Sequence, residues 1–472
     1  MSAGDKRLTE ILPSARQLAL QELEFYAFIH FTVNTFTDKE WGDGTESPSI
    51  FDPAEFDARK WVSAVKAAGM KGLILTCKHH DGFCLWQTRY TRHSVASSPF
   101  RNGRGDIVRE VSDACREGGI RFGIYLSPWD RNSHLYGAGK AYDDYFVNQL
   151  TELLTGYGEI FDVWLDGACG EGKNGKKQFY DWDRYYAAIR RLQPNACISV
   201  CGPDIRWCGN EAGQARKAEW SVVPKRTSDT EKIASLSQQA DSAEFRQRSL
   251  SASDEDLGSR ERLKNESELI WYPAEVNTSI RPGWFYHKSE DDSVKPLAEL
   301  RHVYIASVGG NATFLLNIPP MPNGLFSKQD EARLAEMGDW LRRAFSDNLI
   351  LRGALLTADS EEAGHGIENA KADDYSGYYI ARDDKSTAEI TIQLPNSARI
   401  SYVVLKEYLM KGQRIESFSI ALLSGGEWKT VYKGTVVGHK RIAEIGGASA
   451  QALKIRITDS RLSPTLSFIG VY

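Results

Sequence analysis

From residue 25 to about 345 the chain repeats one unit, a short and nearly continuous apolar run followed by a stretch with helical periodicity. FYAFIHF precedes DARKWVSAVKAAG; MKGLILTC precedes DIVREVSDACREGG; IRFGIYLS precedes AYDDYFVNQLTELLTGYG; and FDVWLDG precedes FYDWDRYYAAIRRLQ. ACISVCG, EWSVVP, ELIWYPAEV, the helical PLAELRHVYIASVGG, TFLLNI and the helical KQDEARLAEMGDWLRRAF complete the series. Strands with one wet face alternate apolar and polar residues; these do not, so both faces are covered, as in a parallel sheet wrapped by helices. About eight such runs predict a (β/α)8-like barrel, an α/β fold, over residues 1–345. The rival, an open doubly wound sheet, lacks a GxGxxG turn after its first strand.

Past residue 350 the pattern changes to alternating runs, AEITIQL, ISYVVLKEYL, ESFSIALL, TVYKGTVV, ALKIRITD and LSFIGVY, broken by Gly, Ser and Asn. This predicts a C-terminal antiparallel β-sandwich over residues 346–472. The stretch ENAKADDYSGYYIARDD ahead of these strands resembles the discoidin-like sandwich of carbohydrate-binding modules. A supporting role and glycan binding are both open, and Asp373 and Asp374 form an oxygen-rich loop suited to a structural calcium. The polar segment 226–268 reads as a long loop or exposed helices inserted between barrel strands.

Composition narrows the function. With 472 residues, 42% of them hydrophobic, and a net charge of −5, the chain supports a large core and offers no basic field for nucleic acid. No window approaches the roughly 20 apolar residues of a membrane span, and MSAGDKRLTE lacks the features of a signal peptide. The expectation for location is a secreted or periplasmic protein whose leader is absent from this sequence, with the cytoplasm as the alternative. The seven cysteines all precede residue 210 and show no CxxC pairing, which argues against a zinc cluster or a disulfide scaffold. Oligomeric state leaves no trace in the sequence.

In a barrel of this type reactive groups lie just after each strand, at the C-terminal mouth. His30 ends the first run, with Glu40 and Trp41 in the following loop; His79 and His80 end the second; Tyr125 and Trp129 lie at the third; Asp166 ends VWLDG; Glu211 lies in RWCGNEAG; Glu275 and Trp284 follow. For ILTCKHHDGF three readings stand: a metal site, a polar sugar pocket, or a structural strand end with an Asp81-Gly82 turn. Neighbours on a strand face opposite ways, so His79 and His80 share a ligand only where the strand has broken. Two carboxylates among imidazoles and aromatic planes suit glycosidic bond cleavage, in which one stays ionised and the other holds a proton. Asp166 fits the first role and Glu211, placed in a less solvated spot, the second.

HFTVNTF, EWGDG, KHHDGFCLW, YLSPWD, VWLDGACG, GNEAG, EVNTSIRPGWFYH and LLNIPPMPNGL together resemble glycoside hydrolase family 29, the α-L-fucosidases, over roughly residues 15–345. KHHDGF, GNEAG and SIRPGWFYH resemble the subgroup that cleaves α-1,3- and α-1,4-linked fucose on branched, Lewis-type glycans. The resemblance implies a retaining exo-α-L-fucosidase, acting on a small fucosylated oligosaccharide without a cofactor or metal. It implies Asp166 as nucleophile, Glu211 as acid/base with Glu275 as its rival, and a fucose pocket of His30, Glu40, Trp41, His79, His80, Tyr125 and Trp284. Two departures stand out: WLDG replaces the family's WFDG, and EVNTSI, with Asn277 and Thr278, replaces EVDVSI. A metal-dependent barrel hydrolase using His30, His79, His80 and Asp166, and a catalytically inactive fucose-binding protein, are the alternatives.

Overall fold

The computed structural model describes residues 3–230, 233, 256–383 and 385–472. Most of the predicted 226–268 insertion thus lies outside the described residues; its flanks form a short turn at Lys225–Ser228 and a helix at Arg260–Leu263.

Eight parallel strands form the N-terminal sheet: Phe25–Ile29, Gly72–Lys78, Arg121–Leu126, Asp162–Leu165, Cys197–Val200, Arg206–Trp207, Ala274–Ser279 and Thr313–Asn317, called here the first to eighth. Their spatial order is fifth, fourth, third, second, first, eighth, seventh, sixth. The bridge from Ser199 to Ile205 brings the two ends together, so the barrel is nearly closed. Every residue of the first, second, fourth, fifth, seventh and eighth strands is buried, which explains why these runs carry no polar alternation.

Helices cover the outside. In Ile107–Gly118 the buried residues Ile107, Val108, Val111, Ala114 and Cys115 recur at helical spacing; Asp106 caps its start, and Gly119 ends it at φ 70°, a left-handed position glycine adopts without strain. Among the described residues no helix is long and apolar enough to cross a membrane. All seven cysteines are free and buried.

Two predicted strands are placed differently. ELIWYPAEV splits at Pro273, which lacks an N–H for a ladder. Leu269–Trp271 pairs antiparallel with Val222–Pro224, from EWSVVP, outside the barrel, while Ala274–Ser279 enters the barrel as its seventh strand. The true sixth strand is the two-residue Arg206–Trp207, paired with the seventh, and is too short for any periodicity to register.

The C-terminal part forms antiparallel sheets. Leu355–Ala358, Ala388–Lys406, Ile415–Ser424, Glu427–Gly434, Arg441–Ser460 and Phe468–Val471 make one sheet, and Tyr379–Ile380 pairs with Thr465–Leu466. AEITIQL and ISYVVLKEYL, separate in the sequence reading, are one strand whose register slips between Gln393 and Ala398. In the loop proposed for calcium, both carboxylate oxygens of Asp373 accept from Lys406 Nζ at 2.8 Å. Among the described residues no group of three or more His, Cys, Asp or Glu could hold a metal ion.

Candidate active site

A cavity of about 700 Å³, counted with the solvent space at its opening, lies at the C-terminal ends of the barrel strands. Of the nine residues predicted for the site, eight line it: His30, Glu40, Trp41, His79, His80, Asp166, Glu211 and Trp284. Tyr125, the ninth, is fully buried and reaches it indirectly, donating its hydroxyl to Asp166 Oδ2 at 2.9 Å.

The opening of ILTCKHHDGF finds its explanation in the backbone. The second strand stops at Lys78, so His79 and His80 already lie in a turn closed by Gly82 N donating to His79 O at 3.0 Å. Gly82 sits at φ 79°, and Asp81 Oδ1 accepts from Phe83 N at 2.6 Å. The break lets both imidazoles line one cavity, with ring centroids 4.1 Å apart.

Hydrogen bonding fixes the tautomers. Asn317 Nδ2 donates to the Trp284 carbonyl at 2.8 Å, so Asn317 Oδ1 must accept from His30 Nδ1, also at 2.8 Å. Ser127 Oγ donates to the Trp129 carbonyl at 2.7 Å and accepts from His80 Nδ1 at 2.8 Å. Both rings therefore keep a bare Nε2 as an acceptor, that of His80 lying 3.6 Å from Asp166 Oδ2. Burial pushes His30 down to about 4 and His80 to about 3, so both are neutral at ordinary pH. Burial also holds His79 well below its usual value, and its buried Nδ1 has no hydrogen-bond partner among the described residues.

Asp166 stands at the end of the fourth strand. Burial pushes its carboxyl above the usual range, while the Ala168 amide at 2.9 Å, the Tyr125 hydroxyl and the Gly167 amide pull against that rise. Glu211 lines the same cavity from the loop after the sixth strand, not the fifth as the sequence order suggested. It is half-buried, where a less solvated setting was expected, and its Oε2 accepts from Trp284 Nε1 at 3.0 Å. Asn210 shapes this loop: its Oδ1 accepts from the amides of Ala212 and Gln214, both at 3.1 Å.

Glu275 is not part of the cavity wall. It lies two residues before Asn277 on the seventh strand, about 7 Å deeper at 3.3 Å per residue, and only Asn277 lines the cavity. Its carboxylate accepts from Tyr26 Oη at 2.5 Å and Trp164 Nε1 at 2.8 Å, and burial raises it to about 7. It buttresses the floor beneath Trp164.

Sequence reasoning missed Phe28, Trp164, Ala168, Val200 and Trp207 as lining residues. Phe28 and Trp164 were available by counting back two from His30 and Asp166, since a strand's side chains repeat on one face every second residue. Trp207 was not, because its strand has two residues; its Nε1 donates to Asn277 Oδ1 at 3.0 Å. His287 was missed as well. It bonds Glu40 Oε1 at 2.7 Å and Asp38 Oδ1 at 2.6 Å.

Comparison with known proteins matches this architecture. The sequence model described as alpha-L-fucosidase matches residues 17–344. Alpha-L-fucosidase 1 of Arabidopsis thaliana is 39% identical over 472 residues, covering 98% of this chain and 87% of its own. The structure of a Ruminococcus gnavus GH29 fucosidase in complex with fucose superposes with a TM-score of 0.84 at 30% identity, covering 98% of this chain and 95% of that one. SpGH29 superposes with the same score at 34% identity, covering 98% of each chain. A parallel barrel with three carboxylates and three histidines at its mouth, matched along nearly its whole length, belongs to the α-L-fucosidases of glycoside hydrolase family 29.

Proposed function

We propose that this α-L-fucosidase is a retaining exo-enzyme that removes terminal α-1,3- or α-1,4-linked fucose from branched oligosaccharides, with Asp166 as nucleophile and Glu211 as acid/base. The observation that carries the reading is that the two carboxylates line a single cavity whose remaining wall supplies imidazole acceptors and aromatic faces. The fucose complex of the Ruminococcus gnavus relative supports the sugar. His30 and His80, each with a bare Nε2, accept from sugar hydroxyls, and His79 completes the same wall. Phe28 and Trp164 on the floor meet the apolar C6 methyl and ring face.

In the first step an Asp166 carboxylate oxygen bonds to the anomeric carbon as the glycosidic C–O bond breaks, and the Glu211 proton passes to the departing oxygen. In the second, Glu211 takes a proton from water as that water's oxygen displaces Asp166 and restores the carboxylate. Nucleophilic attack needs Asp166 ionised, which burial opposes and the Tyr125 and Ala168 hydrogen bonds favour.

NMR of the first sugar released tests the stereochemistry. α-L-Fucose should precede its β anomer, and the reverse order overturns retention. Lewis-type trisaccharides should be cleaved well ahead of 2'-fucosyllactose; a preference for the α-1,2 linkage overturns the linkage assignment.

A further inference from the structure

Glu40 lines the sugar cavity, yet much of its carboxylate is engaged from behind. Oε2 accepts from the Trp284 amide at 2.8 Å, and Oε1 accepts from the Phe285 amide at 3.0 Å and from His287 Nε2 at 2.7 Å. The other nitrogen of His287 bonds Asp38 Oδ1. A neutral imidazole has one N–H and cannot donate to two carboxylates at once, so the ring sits between them as a cation. The packing is close: a Cβ on Gly283 would lie 2.7 Å from Glu40 Oε1 and 2.9 Å from His287 Cδ2. Asp38 and Glu40 come from the loop after the first strand, and residues 283–287 from the loop after the seventh. Trp284, held at its amide by Glu40, donates its indole N–H to Glu211.

We propose that His287 is a positioning residue of the sugar site: by bridging Asp38 and Glu40 it locks the first and seventh barrel loops together, keeps the Glu40 carboxylate ionised for the sugar, and sets the Trp284 indole against Glu211. This rests on the fucose pocket proposed above. The charges facing the ring are Asp38 and Glu40 from one loop and Glu290 from its own; His30 faces Glu40 from the first strand and is neutral. Burial alone pushes the Glu40 carboxyl up, and His287 leads the interactions that reverse this, ahead of the Trp284 and Phe285 amides. The Glu40 hydrogen bond leads the effects that raise His287 to about 9, so the bridge persists through neutral pH and is lost as pH climbs past that value.

The test is the affinity for L-fucose, measured by calorimetry between about pH 5.5 and 8, for the parent, His287→Leu and His287→Gln, with thermal melts to establish folding. A charge-assisted hydrogen bond is strong enough for the Leu variant to bind about tenfold or more weakly at the acid end. Its affinity should recover toward pH 8, as Glu40 regains its charge, and the Gln variant, which retains one neutral donor, should fall between. Unchanged affinity in a folded Leu variant, or an equal loss at every pH, overturns the inference. Absence of fucose binding by the parent protein instead overturns the pocket on which the inference stands.

Discussion

Replacing Tyr125 by Phe removes one oxygen from a fully buried site and one hydrogen bond, that to Asp166 Oδ2 at 2.9 Å. The ring remains in place against Phe28 and Trp164, so the floor keeps its shape. A hydrogen bond to a charged acceptor contributes about 1.5–3 kcal/mol. It favours the ionised carboxylate, so its loss moves Asp166 further in the direction in which burial already pushes it. At about 1.36 kcal/mol per decade of proton affinity, kcat/KM on the acidic limb should fall roughly 10- to 150-fold. Once pH is high enough to ionise the carboxyl again, the two enzymes should converge to within a few-fold. The assay is kcat/KM for an aryl α-L-fucoside across the acid and neutral range, since that parameter reports the free enzyme's ionisations. A loss of equal size at every pH would refute the reasoning, because it would mean Tyr125 acts on packing and not on the charge of Asp166.

Asp166→Ala should abolish turnover of every fucoside, while Glu211→Ala should lower kcat/KM on an oligosaccharide by about 10²–10⁴ and largely spare an aryl fucoside with a good leaving group; equal loss on both substrates argues against Glu211 as the acid. Burial raises the Glu275 carboxyl from its ordinary 4.5 to about 7, so its contribution to stability is full below pH 4.5 and is lost as pH rises through 7, a change of about 3 kcal/mol. Melts of Glu275→Gln should therefore show less loss between pH 5 and 8 than the parent, and parallel curves would contradict the buried-charge account; Asp81 and Asp162 are also raised by burial, so the difference between the two proteins is the quantity to read.

The architecture and eight of the residues lining the cavity are legible in local patterns of the chain. Runs such as GLILTCK and TFLLN carry apolar residues at every position because both strand faces are covered, and that pattern is written in consecutive residues. Chemistry placed just after such runs then identifies the mouth, which is how His30, His79, His80 and Asp166 were found. Features that depend on partners distant in the chain emerge with the closing of the barrel. Glu275 and Glu211 are both loop-or-strand carboxylates in the sequence, yet strand register sinks one beneath Trp164 and loop geometry brings the other to the cavity. The sixth strand has two residues and exists through its pairing with the seventh, so Trp207 carried no local signal. His287 bonds Asp38 and Glu40 across a separation of nearly 250 residues, a meeting that barrel closure creates and no local pattern encodes.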